Sequence, residues 1–151
     1  MDRLLIVVVI VIAVGIIAGV ARSRRRVDAP TQRRFAVPQQ LDRADFARAD
    51  APWLVAVFSS ATCEVCQSVV DKARVLESAE VAVVDVEYLA DRALHERYSI
   101  EAVPTVVVAD ARGVNRAGFI GPMSATDLWA AVAEAREPGS SPEPGLGQKN
   151  R

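Results

Sequence analysis

Short valine-rich runs alternate with helical patterns between residues 53 and 137, and this alternation most constrains the fold. The runs 53–59 and 81–86 are almost continuously apolar, which is typical of strands covered by helices on both faces. The segment 63–76 instead repeats its apolar residues at helical spacing. The pattern predicts the order β-α-β-α-β-β-α around a mixed central β-sheet flanked by helices, which is an α/β fold.

The remaining elements follow from their boundary residues. Two more strands are predicted at 105–109 and 114–120, joined by a hairpin turn at 110–113. Polar side chains such as Asp110 and Arg112 are expected in such a turn. Helices are predicted at 42–49 and 91–98, and Ser124 is expected to cap a last helix with Asp127 as its partner. Four aromatic side chains are expected to point into the core, namely Trp53, Phe58, Phe119 and Trp129.

Residues 4–21 form an uninterrupted apolar segment without a charged side chain. At a helical rise of about 1.5 Å per residue, this segment can cross most of a hydrocarbon core about 30 Å thick. We therefore predict that residues 1–21 are a transmembrane anchor, in contact with membrane lipid through residues 4–21. The alternative is a cleaved signal peptide, which the basic sequence that follows and the lack of a cleavage site before a neutral mature start disfavour.

Residues 22–40 are predicted to be a basic juxtamembrane linker. Its arginines follow the apolar segment closely and are Arg22, Arg24, Arg25, Arg26, Arg33 and Arg34. Because Lys and Arg beside a span are retained on the cytoplasmic side, we expect a single-pass membrane protein whose folded domain is cytoplasmic. An extracytoplasmic domain is the alternative, since charge alone does not fix the orientation of a single span.

The C-terminal sequence sets the other limit of the folded part. Residues 138–151 contain few large apolar side chains and are predicted to be a disordered tail, which leaves 41–137 as the domain. The whole chain has a formal net charge of −1, so the domain is acidic once the arginine cluster is set aside. With no basic face beyond the membrane edge, nucleic-acid binding is not expected.

Cys63 and Cys66 are the only two cysteines, and they form a CxxC pair soon after the first predicted strand. A thiolate is the nucleophile in thiol–disulfide exchange, and a helix N-terminus lowers the pKa of a cysteine placed there. A second cysteine one turn later can close on the first and release a reduced substrate. We therefore predict that Cys63, the more exposed residue, is the nucleophile and that Cys66 resolves the mixed disulfide.

Over about residues 41–137 the chain resembles the thioredoxin family. The likeness rests on the strand ending in Phe58 before the CxxC pair, on Val103-Pro104-Thr105 about forty residues later, and on Gly121 before the last helix. The resemblance implies a thioredoxin-like fold and a protein thiol–disulfide oxidoreductase that needs no cofactor. It also implies protein thiol or disulfide substrates, an upstream redox partner, and a cis-proline edge at Val103 and Pro104 that binds substrate. The alternative for Pro104 is a proline that only begins a strand.

The sequence departs from the family pattern around the cysteines. Thr62, Glu64 and Val65 replace the tryptophan, glycine and proline of the usual Trp-Cys-Gly-Pro-Cys. Val57 stands where the family buries an acid, and Val83 or Asp85 lies nearest to the position of its lysine partner. A carboxylate at position 64 disfavours a Cys63 thiolate, so we expect a reductant, or a slow oxidoreductase, rather than a strong oxidant. Alternatively, that glutamate is only an exposed helix residue.

Two alternative functions compete with this interpretation. A zinc site needs four ligands, and the chain offers two cysteines and one histidine, His95, which we expect to be a partly exposed helix residue. Zinc would require a dimer that shares two cysteine pairs, so no metal is predicted. The second alternative is a non-catalytic thioredoxin-like adaptor that binds a partner protein at the membrane. This alternative would account for the loss of the family's usual residues around the cysteines.

Overall fold

A computed structural model describes residues 35–140 of the chain. The predicted transmembrane anchor, the linker up to residue 34 and the tail beyond residue 140 lie outside these described residues. In the described part, no helix combines the length and the apolar character that crossing a membrane requires.

The helices and strands occur in the predicted order. A single 3₁₀ turn, Arg43–Asp45, precedes the first strand. The strands are β1 (Trp53–Ser59), β2 (Val81–Glu87), β3 (Thr105–Asp110) and β4 (Asn115–Ile120). The helices are α1 (Cys66–Arg74), α2 (Arg92–Arg97) and α3 (Ala125–Arg136).

The strands form one mixed sheet in the order β2-β1-β3-β4. Strand β1 is parallel to β2 and antiparallel to β3, and β3 is antiparallel to β4. The end of β1 therefore lies beside the end of β2 and the start of β3, with Ser59 opposite Glu87 and Phe58 opposite Thr105. We call this side of the sheet the cysteine edge, because the chain leaves it toward Cys63. The other side, where Asp110 leads into the hairpin, is the turn edge.

Two apolar clusters sandwich the sheet, as the nearly continuous apolar strands predict. Alternate residues of β1 point to opposite faces. Val55 and Val57 pack with α1 and α3, while Leu54, Ala56 and Phe58 pack on the other face. Both clusters are closed to solvent along β1, so this strand is the centre of the core.

Helix α1 begins at Cys66 and not at Cys63, so the predicted start of this helix is wrong. Cys63 lies in a turn in which its N–H donates to the Ser60 carbonyl, and the N–H of Cys66 donates to the Cys63 carbonyl. Helix α1 also ends two residues before the predicted Leu76. Likewise, the helix predicted at 42–49 is only the 3₁₀ turn, and the chain takes a positive φ of 56° at Arg48.

Two side chains lie in environments that the sequence analysis did not predict. His95 is buried, with 2 % of its surface exposed, because its ring packs edge-on against Phe58 and Tyr88 and its Nε2 lies 2.8 Å from the Val86 carbonyl oxygen. Trp129 is 42 % exposed, and its indole N–H donates to the Lys72 carbonyl. The inward orientation is confirmed for Phe58, which is fully buried, and Trp53 and Phe119 are half-buried against the core.

Candidate functional site

The two cysteines lie at the cysteine edge, between the end of β1 and the first turn of α1. Their sulfurs form a disulfide with an S–S distance of 2.11 Å and a Cα–Cα distance of 5.4 Å. Cys63 is half-buried, whereas Cys66 is only 2 % exposed. The predicted difference in exposure is therefore confirmed, with Cys63 the more exposed of the two residues.

The first turn of α1 leaves backbone donors next to the cysteines. Val65 occupies the N-cap position and makes no side-chain hydrogen bond to the helix. The first N–H groups of a helix have no intrahelical acceptor, and a valine side chain cannot supply one. These N–H groups and the positive end of the helix dipole favour an anion at this point, such as a cysteine thiolate in the reduced protein.

The Val103–Pro104 peptide bond is cis and lies at the same edge of the sheet. Pro104 directly precedes Thr105, which pairs with Phe58 at the end of β1. The Pro104 carbonyl is already occupied, because it accepts from the Gly121 N–H at 2.8 Å. Within residues 35–140, by contrast, the N–H and carbonyl of Val103 take part in no hydrogen bond. The backbone edge that could pair with another chain is therefore that of Val103, while a binding role for either residue stays a prediction.

No acid lies beneath the disulfide at position 57, because Val57 is fully buried in the apolar cluster beside α1. An acid occurs instead on the neighbouring strand, since Asp85 is the partner of Val57 in the parallel ladder. Its carboxylate accepts a hydrogen bond from the Ser59 hydroxyl at 2.5 Å. The sequence analysis named Asp85 only as a candidate for the lysine position and missed Ser59, whose place beside it depends on the β1–β2 register.

Glu87 is a second carboxylate at this edge, and the sequence analysis missed it. Its Oε1 accepts from the N–H of Ala61 at 3.0 Å, and its Oε2 accepts from Leu89 at 2.8 Å and Ala90 at 3.0 Å. These hydrogen bonds, that of Ala61 foremost, hold the pKa of Glu87 below its usual value. The ionised carboxylate thus connects the loop before Cys63 to the turn after β2.

Glu64 lies between the cysteines with its side chain exposed. Among residues 35–140, no three His, Cys, Asp or Glu side chains come together in a way that could hold a metal ion. The edge brings together one cysteine pair, acidic side chains and backbone donors.

Comparison with solved structures identifies the fold of the described domain. A single-substitution variant of a thioredoxin from Halobacterium salinarum is similar, with 22 % sequence identity and a TM-score of 0.54 over 68 % of this chain and 96 % of that chain. The germline-specific thioredoxin Deadhead from Drosophila melanogaster matches with 24 % identity and a TM-score of 0.50 over 57 % and 83 % of the two chains. No protein-family model and no curated protein sequence matches the chain. The domain has a thioredoxin-like fold, as the sequence analysis predicted.

Proposed function

We propose that this chain is a membrane-anchored protein thiol–disulfide oxidoreductase that uses Cys63 and Cys66. One observation carries the proposal. A disulfide between a half-buried cysteine, Cys63, and a buried one, Cys66, lies between β1 and α1, at the edge that also holds the cis Val103–Pro104 bond. In this arrangement an external disulfide can reach Cys63, and Cys66 lies three residues further along the chain, where it can attack the resulting mixed disulfide.

In the reduced protein, the Cys63 thiolate attacks one sulfur of a substrate disulfide. A bond forms between Cys63 and that sulfur, and the other substrate sulfur leaves with the bonding electron pair and takes up a proton. The Cys66 thiolate then attacks Cys63, closing the internal disulfide and releasing the second substrate thiol. The substrate gains two electrons, the protein loses them, and an upstream dithiol must reduce the pair again.

The acidic surroundings of the pair favour electron donation to substrates. Glu64 stands directly beside Cys63, and Asp85 and Glu87 both lie near the C-terminal end of the adjoining strand β2. Negative charge near Cys63 makes its thiolate less stable, which in turn makes the disulfide harder to reduce. We propose on this basis that the pair acts as a reductant.

The substrate is proposed to be an extended polypeptide segment that pairs with the backbone of Val103. Its N–H and carbonyl have no partner within the described residues, whereas Pro104 directs its own carbonyl to Gly121. An added strand at such an edge gains affinity through main-chain hydrogen bonds and is tolerant of side-chain sequence. The expected substrates are therefore proteins with accessible disulfides.

The proposal also places the domain on the cytoplasmic side of a membrane, held by residues 4–21. The support is the apolar sequence of that segment and the arginines that follow it. A membrane-impermeant thiol reagent applied to intact cells should leave Cys63 unmodified until the membrane is permeabilised. Modification without permeabilisation would place the domain outside the cytoplasm.

The activity is tested by following the reduction of insulin disulfides by the full-length chain with dithiothreitol as electron source. We expect Cys63→Ser to lower turnover at least about 100-fold, because the nucleophile is lost. In a separate incubation of the reduced Cys66→Ser chain with insulin and without dithiothreitol, the reaction should stop after the first step and accumulate a mixed disulfide, visible as a mass increase that added dithiothreitol removes. Ser68→Ala, an exposed change on α1, serves as the control.

A wild-type chain with no more turnover than Cys63→Ser would contradict the proposal. The adaptor alternative would then be favoured, and it has one observation of its own, because the position of the family's buried acid is filled by the apolar Val57. An adaptor would retain partner binding when both cysteines are replaced, whereas a substrate complex that depends on a mixed disulfide would disappear.

A further inference from the structure

We propose that Glu87 is a positioning residue for the cysteine pair, acting through the backbone of the loop that precedes Cys63. The inference rests on the proposed function, since it assigns a role in the chemistry of the same pair. Glu87 has no assigned part in the exchange steps and need not touch either sulfur.

Glu87 continues the connection between two segments after the ladder of β1 and β2 ends. The last backbone hydrogen bond between them runs from the Tyr88 N–H to the Ser59 carbonyl at 3.0 Å. Beyond it, one oxygen of Glu87 accepts from Ala61, and the other accepts from Leu89 and Ala90. A single carboxylate therefore bridges the loop 60–62 and the turn 88–90.

Fixing Ala61 restrains the turn that presents Cys63. Ala61 is two residues before Cys63, and the Cys63 N–H donates to the Ser60 carbonyl at 3.0 Å within the same loop. The stabilisation of a Cys63 thiolate depends on how closely its sulfur lies to the free N–H groups at the start of α1. A loop that moves away from this position loses part of that stabilisation.

The charge and the geometry of Glu87 act on the Cys63 thiol in opposite directions. The negative charge disfavours a nearby thiolate, whereas the bridge holds the loop where the helix N-terminus favours one. Two variants separate these effects. E87D keeps the charge but is one methylene shorter, so it cannot span both segments. E87Q keeps the length but loses the charge and half of the acceptor capacity.

The experiment uses the full-length chain in the reduced state and measures two quantities that require no substrate. The first is hydrogen exchange at the Ala61 amide. The second is the acid ionisation constant of Cys63, taken from the pH dependence of alkylation in a Cys66→Ser background. For E87D we expect Ala61 to exchange at least about tenfold faster and the ionisation constant to fall at least about threefold. For E87Q we expect Ala61 to exchange faster than in the wild type, and the ionisation constant of Cys63 to be larger than in E87D.

E80D is the matched control, because Glu80 directly precedes β2 at the turn edge and pairs there with Arg136. It should change neither quantity. Unchanged Ala61 exchange in E87D would overturn the proposal, and so would faster exchange with an unchanged ionisation constant. A chain that fails to reduce insulin would instead contradict the proposed function and leave these two measurements valid.

Discussion

The two edges of the sheet are held by different sets of side chains, because the turn edge has arginines in addition to a carboxylate, Asp110. At the cysteine edge, a carboxylate, Glu87, accepts hydrogen bonds from backbone N–H groups of two segments. At the turn edge, arginines donate to backbone carbonyls. Arg43 reaches the carbonyls of Asp110, Arg48 and Ala51, and Arg48 reaches those of Ser78, Ala79 and Val81.

One sheet thus combines an edge held by buried hydrogen bonds with the edge that carries the cysteine pair. Backbone groups that leave a ladder need partners, and a guanidinium with five donors can serve several carbonyls at once. Arg43 does so while only 7 % exposed, so its hydrogen bonds are protected from water. Glu87 is half-buried, but its hydrogen bonds are exposed to water, and its bridge is therefore easier to open. Stability is thus expected to depend on the turn edge and thiol chemistry on the cysteine edge.

The largest expected effect comes from two glycines with positive φ, one at each edge. A Cβ on Gly113 (φ 77°) would lie 1.8 Å from the Leu41 carbonyl oxygen, whereas a Cβ on Gly121 (φ 87°) would meet nothing within 4 Å. We expect G113A to lower the free energy of unfolding by about 3 kcal/mol or more, and G121A by only about 1 kcal/mol. Urea denaturation measures both, and equal losses would show that crowding at the turn edge is unimportant.

The next effect concerns the Arg43 contacts at the turn edge. Burial lowers the pKa of Arg43, although Asp110 and Asp50 oppose this by their charge. R43M keeps an apolar stem but removes a donor from three carbonyls, of which those of Arg48 and Asp110 still accept from the N–H groups of Ala51 and Gly113, so we expect a loss of about 2 kcal/mol, mainly from the Ala51 carbonyl. The exposed Arg92, paired with Glu96 at 2.8 Å, provides the control R92M, with an expected change below about 0.5 kcal/mol.

The comparison would fail if R43M also altered the ionisation of Cys63, because the two edges would then not be independent. The same alkylation measurement proposed for E87D tests this. An unchanged ionisation constant together with the loss of stability is the expected result.

The smallest effect is a pH dependence to which one carboxylate at each edge contributes. Burial raises the pKa of Asp110, but the hydrogen bonds from Arg116 and from the N–H groups of Val114 and Arg112 outweigh it, so this pKa is lowered. The pKa of Glu87 is lowered by the hydrogen bonds from the N–H groups of Ala61, Ala90 and Leu89. A carboxylate whose pKa is lower in the folded state stabilises the fold at any pH above its unfolded-state pKa. That stabilisation is lost as the pH falls through the folded-state pKa. We expect the free energy of unfolding to decline below about pH 4, less steeply in D110N and E87Q. An identical decline in all three proteins would contradict this assignment.

The local sequence was sufficient to predict the strands, and insufficient for contacts that cross between them. The predicted 53–59 run is β1 to the residue, because a continuous apolar segment between turn residues has little alternative to a buried strand. His95 was predicted to be partly exposed, and its burial depends on Phe58 and Tyr88, which no local pattern links to it. The predicted start of α1 is wrong because the residues before Cys66 form turns closed by hydrogen bonds from the Cys63 N–H to the Ser60 carbonyl and from the Cys66 N–H to the Cys63 carbonyl, and the helix begins only after them.

The α/β order, the cysteine pair and the valine in place of an acid at position 57 follow from the amino-acid sequence alone, because each depends on residue type and spacing along the chain. Three contacts depend on the tertiary structure: Asp85 faces Ser59, Pro104 directs its carbonyl to Gly121, and Glu87 reaches Ala61. These contacts join segments 17 to 26 residues apart. They depend on the register of neighbouring strands, and that register is fixed when the two apolar faces of the whole sheet are buried together.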